Sequence, residues 1–284
     1  MKVLVTGATG QLGSAIVHEF GAAHEVVAFA SEDFDITSRE VAERVRSVRP
    51  AVIVNCAAYN DVDGAEDHAV TALAVNGFAV LSLSRAAAEV DAAFVHYSTD
   101  FVFAGDARQP YTEDVAPRPG SFYAMSKLLG EWFAAEARRW YVLRVESLFG
   151  GLALGSQHRS SVDRIADAIF DGREATVFTD RTVSPTFVMD AARATRALLD
   201  RGAPAGLYHC VNSGSCTWHE LAREVGRQAG VEPILRPCSV ADMPLRAARP
   251  VYSPLSNAKL AAAGVGMPAW QDALARYLAA RQGG

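Results

Sequence analysis

Seven residues near the start of the chain, Gly7-Ala8-Thr9-Gly10-Gln11-Leu12-Gly13, constrain its fold more than any other segment. They directly follow a short apolar run, Val3–Thr6, and open a helical pattern that continues through Phe20. In such a strand–turn–helix unit the first glycine permits the tight turn and the second lets the backbone approach a pyrophosphate. The third lets the helix pack closely on the strand. The new helix begins with unpaired amide donors, which suit a phosphate. Three glycines at this spacing can be a mere turn; a strand before and a helix after make the segment a dinucleotide site. Gly7, Gly10 and Gly13, with Thr9 between them, are the expected cofactor-binding residues of that turn.

Strand and helix patterns alternate through the first half. Glu25–Ala28 reads as a strand, Ser38–Val48 as an amphipathic helix with a serine N-cap, and Ala51–Asn55 as a further strand. A long helix from about Ala65 to Val90 follows, then a strand at Ala93–Tyr97, a helix near Tyr123–Arg138 and a strand at Tyr141–Arg144. Continuous Val/Ile/Leu strands separated by helices predict an α/β fold, a doubly wound parallel sheet of Rossmann type covered on both faces. Its ligand belongs outside the carboxyl ends of the strands. After Arg144 the rhythm breaks at Gly150, Gly151 and Gly155, and Pro233–Pro250 reads as loops. The expected division is a dinucleotide-binding domain over 1–147, to which some later segments return, and a smaller, irregular substrate lobe over 148–284.

Charge and cysteine usage exclude several classes. The net charge of -5 provides no field for a polyanion, so no nucleic-acid partner is expected. MKVLVTG reads as a buried strand rather than a signal peptide. The longest Ala-rich region, Val70–Val90, is interrupted by Asn76, Ser82, Ser84, Arg85 and Glu89 and reads as too polar for a membrane span. The four cysteines lack CxxC spacing and His158, His209 and His219 lack ligand spacing, so free thiols, surface or core histidines and no metal are expected. A soluble, cytoplasmic protein is the resulting expectation. Near the end of the second strand, where an NAD site commonly places an acid, stands Ser31, with Glu32 and Asp33 after it. A serine can donate to a 2′-phosphate, which favours NADPH; no arginine lies close in sequence, so NADH stays open.

Two further segments carry chemistry. Tyr97-Ser98-Thr99-Asp100 closes a strand, so its hydroxyls project from the carboxyl edge. Tyr123-Ala124-Met125-Ser126-Lys127 begins a helix and puts Tyr123 and Lys127 on one face. A phenol with a pKa of about 10 exchanges protons poorly at neutral pH. A nearby ammonium favours its ionised form, so Lys127 is expected to lower the Tyr123 pKa and to hold the nicotinamide ribose. Thr99 would anchor a carbonyl oxygen beside Tyr123. A YxxxK pair by itself is common in helices; the phosphate turn and the strand-end threonine give this one its meaning.

With these segments in place the chain resembles the extended short-chain dehydrogenase/reductases, and among them the dTDP-4-dehydrorhamnose reductase family. The resemblance runs nearly end to end: GATGQLG at Gly7–Gly13, FDIT at Phe34–Thr37, NCAAYNDVDGAE at Asn55–Glu66, YSTDFVFAG at Tyr97–Gly105, PYTED at Pro110–Asp114, YAMSKLLGE at Tyr123–Glu131, SPT at Ser184–Thr186 and RPVYSPLSNAKL at Arg249–Leu260. It implies that Gln11, Leu12, Gly13, Asp35, Ile36, Ala57, Ala58 and Tyr59 line the cofactor. It also implies that Thr99 and Asp100 meet the sugar and that Tyr123 donates the proton. The implied reaction is NADPH-dependent reduction of the 4-keto group of a nucleotide-linked, dTDP-type 6-deoxyhexose by a monomer or homodimer.

The chain departs from the family in two places. Where the family has RTSWVYG, with its Trp against the sugar, this chain reads Arg144-Val145-Glu146-Ser147-Leu148-Phe149-Gly150. Ser147 becomes a candidate substrate contact without a stacking surface, beside an added carboxylate, and the hexose is left open. Some members hold Mg²⁺ at a dimer contact through an acid after the third glycine. Ser14-Ala15 stand here, so no such metal is expected. Trp132 and Phe133 read as core or dimer packing, and Arg138-Arg139 as a solvated helix end. Arg159, Arg164 and Arg249 are open between a pyrophosphate and solvent. A nucleotide-sugar epimerase and a catalytically idle NADP-binding regulatory subunit are the competing readings.

Overall fold

A computed structural model describes residues 1–156 and 158–282. Its centre is a six-stranded sheet of β1 (Lys2–Thr6), β2 (Glu25–Phe29), β3 (Val52–Asn55), β4 (Ala93–Thr99), β5 (Arg139–Val145) and Gly206–His209. The order across the sheet is Gly206–His209, β5, β4, β3, β1, β2, and each neighbouring pair is parallel. Val3 to Val5, Val52 to Val54, Phe94 and Val95 are buried on both faces, so these strands need no polar alternation. The chain leaves β1 for β2 on one side and reaches β3 on the other. That reversal opens a crevice at the carboxyl ends of β1 and β3.

Helix α1 (Gln11–Gly21) packs against Val188–Asp200 on one face, around a core that includes Val5, Ile16, Leu143 and Val188. Helix α2 (Val41–Val48) packs on the other face with Leu4, Ile53, Leu83 and Phe94. Sequence from beyond residue 147 thus returns to the sheet twice, as its edge strand Gly206–His209 and as the helix that covers α1.

Several expectations need correction. The long helix runs over Ala69–Glu89 rather than from Ala65, and Gly64–Glu66 is a separate 3₁₀ turn. It is 21 residues long and contains an 18-residue stretch with a mean hydropathy of 1.4, so by length and composition it does reach the measure of a membrane span. Here one side packs on the sheet, α2 and the helix Phe122–Ala134. In its middle, Ala74–Phe78 widens to a π turn. This aims Asn76 across the fold: its amide oxygen accepts from the Tyr59 amide (2.9 Å), and its amide nitrogen donates to the Tyr59 carbonyl (3.0 Å) and Ser126 Oγ (2.9 Å). The loop after β3 and the Tyr123 helix are thereby tied together.

The helix predicted to reach Arg138 stops at Ala134, because tight turns at Glu136 and Ala137 redirect the chain into β5, which already starts at Arg139. Arg139 therefore belongs to a strand, not a helix end, and donates to the Asp91 carbonyl. Of the pair expected in core or dimer packing, Phe133 packs against the core, whereas Trp132 is 65 % exposed, which leaves it the dimer alternative. Within Pro233–Pro250, Leu235–Cys238 is a strand paired with Ala175–Phe178.

Candidate active site

A cavity of about 530 Å³ opens at the carboxyl edge of the sheet and reaches from the glycine turn to the Tyr123 helix. The turn is built on close approach. A Cβ at Gly7, where φ is +65°, would stand 2.6 Å from the Ala57 amide nitrogen, and one at Gly13 would stand 2.0 Å from the Gly7 oxygen. The Gly10 amide donates to the Gly7 carbonyl at 3.1 Å. Gly10 offers α1 no side-chain cap, and the first turn carries no acid, so its free amides face a site fit for an anion. Gln11 Oε1 is buried there without a hydrogen-bond partner among the described residues. The donors and the space suit a dinucleotide diphosphate, and the orphaned oxygen can take an N–H or O–H donor beside it.

Of the residues assigned to the cofactor from sequence, Gly10, Gln11, Leu12, Gly13, Ala57 and Ala58 line the cavity together with Tyr123 and Lys127. Gly7 lies behind the turn and Thr9 is exposed beside it. Asp35, Ile36 and Tyr59 are outside the lining. Thr37 hydrogen-bonds Asp35 through hydroxyl and amide (2.7 and 2.8 Å), which holds that carboxyl below its ordinary range. Ile36 packs in the core beneath α2, and Tyr59 is pinned by Asn76. The arginine that the sequence did not place near the second strand is supplied in space: Arg44 sets its guanidinium 4.9 Å above the Phe29 ring, at the end of β2.

Thr99, Asp100, Tyr123 and Lys127 meet at the cavity floor. The Thr99 oxygen accepts from the Phe101 amide (3.2 Å), and its hydroxyl donates to Asp100 Oδ1 (2.9 Å), which fixes the β4 end. Ser121 caps the Tyr123 helix by accepting from the Ala124 amide. The edge of Phe101 holds the Tyr123 ring, with centroids 5.7 Å apart at 88°. The electrostatics differ from expectation. The Lys127 ammonium donates to the Tyr97 carbonyl at 2.6 Å, and it is not what tunes the phenol. Burial, and next the Asp100 charge, push the Tyr123 phenol above its ordinary range, with the Thr99 hydroxyl acting the other way. Burial brings Lys127 down to about 8, against the Glu131 charge that supports it. This arrangement keeps a neutral phenol and so favours giving a proton to a developing alkoxide.

The cavity also takes in Trp218 and Arg181, to which sequence reasoning assigned no role, beside Glu146 and the predicted contact Ser147. Trp218 lines it, 7 % exposed, and its indole Nε1 is buried without a partner among the described residues. Arg181 lines it from a segment far along the chain. Glu146 accepts from the Ser184 amide at 2.7 Å and from the Ser253 hydroxyl. Ser147, half-buried on the wall, sits in the left-handed region at φ +45°. No local pattern announces Trp218 or Arg181; only the tertiary fold brings them to the sheet edge. Of the open arginines, Arg249 lines the cavity and donates to Asp63 at 2.8 Å, Arg159 lines it paired to Asp167, and exposed Arg164 is outside it. His209 is a core residue beside Arg144, whereas exposed His158 lies at the cavity.

Residues 1–282 match the family described as RmlD substrate binding domain. A dTDP-4-dehydrorhamnose reductase of Mycobacterium tuberculosis is 38% identical over 288 residues, which cover 98% of this chain and 93% of that protein. A Streptomyces antibioticus protein named as a probable dTDP-4,6-dihydroxy-2-methyloxan-3-one 4-ketoreductase is 34% identical and covers 96% of this chain and 93% of its own length. The crystal structure of a dTDP-4-dehydrorhamnose reductase of Bacillus anthracis in complex with NADP superimposes with a TM-score of 0.91 at 32% identity, covering 98% of each chain.

Proposed function

Because this chain belongs to the dTDP-4-dehydrorhamnose reductase family, we propose that it reduces the 4-keto group of a dTDP-linked 6-deoxyhexose with NADPH. The observation that carries this reading is the meeting of Tyr123 and Thr99 with the glycine turn in one cavity. NADPH supplies the hydride. The amides at the start of α1 and the glycine turn hold the diphosphate, and Arg44 offers a cation at the β2 end for a 2′-phosphate. Lys127 holds the nicotinamide ribose. Thr99 orients the carbonyl oxygen and the neutral Tyr123 phenol gives it a proton. Residues 1–147 form the cofactor domain, whose Thr99, Asp100 and Ser147 also meet the sugar, while Arg181, Trp218 and Arg249 from the later segments face the sugar nucleotide.

NADPH consumption on a panel of dTDP-4-keto-6-deoxyhexoses, with the alcohol product identified, tests the proposal. A nucleotide-sugar epimerase would convert its substrate without consuming added NADPH, and an idle regulatory subunit would bind NADPH and turn nothing over. Either result overturns the reading.

A further inference from the structure

The cavity floor holds two carboxyls, Asp100 and Glu146, that give and take nothing in the hydride transfer itself. Asp100 is 3 % exposed and Glu146 is 2 % exposed, the first at the end of β4 and the second just past β5. Glu146 Oε2 accepts from the Ser184 amide, and Asp100 Oδ1 accepts from the Thr99 hydroxyl. The Ser253 hydroxyl donates to Glu146 Oε1 and lies beside Asp100 as well. A serine has one proton to donate. With both acids ionised, that proton serves Glu146 and leaves Asp100 beside the Ser253 oxygen with no hydrogen between.

The surrounding charges leave the same deficit. Arg181, 9 % exposed, faces both acids, and its Nε donates to the Pro250 carbonyl at 3.3 Å. Asp180 and Arg249 also face Arg181, and Arg249 is already tied to Asp63. The other titratable neighbours are Tyr252 and Cys216 beside Glu146 and Tyr123 beside Asp100; all three are pushed toward their neutral forms. Lys127 shares the cavity floor but is drawn to the Tyr97 carbonyl and the Glu131 charge. The two buried negative charges therefore share Arg181 as the cation that faces them both. A single proton on the pair removes the excess charge and completes the Ser253 hydrogen bonding. Burial pushes both carboxyls up, Asp100 to about 6, and the Asp100 charge adds to the rise at Glu146.

We infer that Asp100 and Glu146 hold one proton between them, and that this proton recharges Tyr123 through the Thr99 hydroxyl after each reduction. The inference rests on the reductase reading above. When the carbonyl carbon has received a hydride, the carbonyl π pair becomes an alkoxide lone pair and takes the phenolic proton. The Thr99 hydroxyl, which donates to Asp100 Oδ1 in the resting site, turns and gives its proton to the Tyr123 phenolate while its oxygen takes the proton of the Asp100 acid. The pair, now doubly ionised, is reprotonated by water from the cavity mouth. Ketone, NADPH and one proton become alcohol and NADP⁺. Glu146 acts through Asp100 and is a positioning residue: its charge keeps the proton on the pair.

Glu146→Gln removes that charge and keeps an acceptor for Ser184 and Ser253. Infrared difference spectra at neutral pH, wild type against this variant, test the store without any turnover. A protonated-carboxyl band present in wild type and lost in Glu146→Gln is expected, and its absence from wild type overturns the inference. In turnover, first-turnover hydride transfer keeps its rate while the multiple-turnover rate falls on the order of 10²-fold, the low end for a lost proton donor. The wild-type decline in kcat as the pair loses its proton disappears in Glu146→Gln and returns in part in Glu146→Asp. A Glu146→Gln enzyme with wild-type multiple turnover and pH profile overturns the recharging role. A wild type that shows the band yet consumes no NADPH on any keto sugar overturns the proposed function, and the recharging step with it.

Discussion

The Lys127 ammonium reaches past its own helix to the Tyr97 main-chain carbonyl, 2.6 Å away, and ties the Tyr123 helix to β4. The sequence spacing put Lys127 on the face of Tyr123, yet its charge serves the strand end and the cavity instead. With its proton lost near pH 8, the cation is present below that pH and absent above it. On the reading that Lys127 holds the cofactor, wild-type affinity for NADPH weakens as pH rises through about 8. Lys127→Met binds NADPH more weakly and shows no such dependence. Fluorescence titration of NADPH on both sides of pH 8 checks this, and a flat wild-type profile would take Lys127 out of the cofactor site.

Tyr123→Phe removes the proton donor but keeps the ring that packs on Phe101. Turnover on a keto sugar falls by about 10²–10⁴, with NADPH affinity unchanged. Since burial and Asp100 raise this phenol, it stays protonated well into the alkaline range. An alkaline loss of wild-type activity then belongs to another group. Steady-state kinetics of both enzymes across pH read the two statements separately.

The parts legible in sequence were those whose physics is local. Strands such as Val52–Asn55, buried on both faces, read as unbroken apolar runs, and Gly7 and Gly13 announce contacts that admit no side chain. What escaped depends on distant partners. The π turn at Asn76 exists because Tyr59 and Ser126 offer it hydrogen bonds. Helical periodicity gave the face of Lys127 but not the reach of a four-carbon side chain to a neighbouring strand. Trp218 and Arg181 arrive from segments with no catalytic pattern of their own.

Behind the site, Glu131 accepts two hydrogen bonds from Arg144, at 2.8 and 2.7 Å, and a third from Ser98 at 2.6 Å. Arg144 is 1 % exposed, so removing its partner strands a buried cation. Glu131→Ala is expected to cost about 3–5 kcal/mol of folding stability. Urea denaturation measures it; a loss below about 1 kcal/mol, the range of exposed pairs, would contradict the account.

His209 ties acid stability to the same region. Its Nδ1 lies 3.0 Å from the Tyr111 carbonyl and its Nε2 3.4 Å from Arg144 Nη1, so the neutral ring donates to the first and accepts from the second. Burial, and next the Arg144 charge, take it down to about 3 from an ordinary 6.5. The unfolded chain therefore binds a proton that the fold refuses in that window, and stability falls on acidification, by up to about 1.4 kcal/mol per pH unit. The raised Asp100 and Glu146 act oppositely over part of it, so the difference between wild type and His209→Gln is the quantity to measure. The variant lacks the His209 share of the acid loss; identical slopes would mean His209 is charged in the fold.

Substrate choice turns on the wall formed by Ser147. The family places an aromatic ring at this position, and such a face adds about 1 kcal/mol to a stacked partner beyond simple burial. Here a small hydroxyl residue occupies a left-handed conformation next to a buried carboxyl, and Trp218 is an aromatic group that a later segment brings to the cavity lining. A ring that approaches Trp218 leaves room beside Ser147 for a bulkier or more polar substituent. We predict measurable but poor reduction of dTDP-4-dehydrorhamnose, with a related 4-keto sugar preferred. Ser147 already bears the left-handed backbone cost of a residue with a Cβ, so Ser147→Trp adds bulk without a new backbone demand. It should raise kcat/KM for the rhamnose precursor relative to the preferred sugar, because only contacts that differ between two substrates change their ratio. Trp218→Ala should depress both. A wild type that reduces dTDP-4-dehydrorhamnose at about 10⁵ M⁻¹s⁻¹ or more, a good enzyme's efficiency, would show that Ser147 carries no specificity.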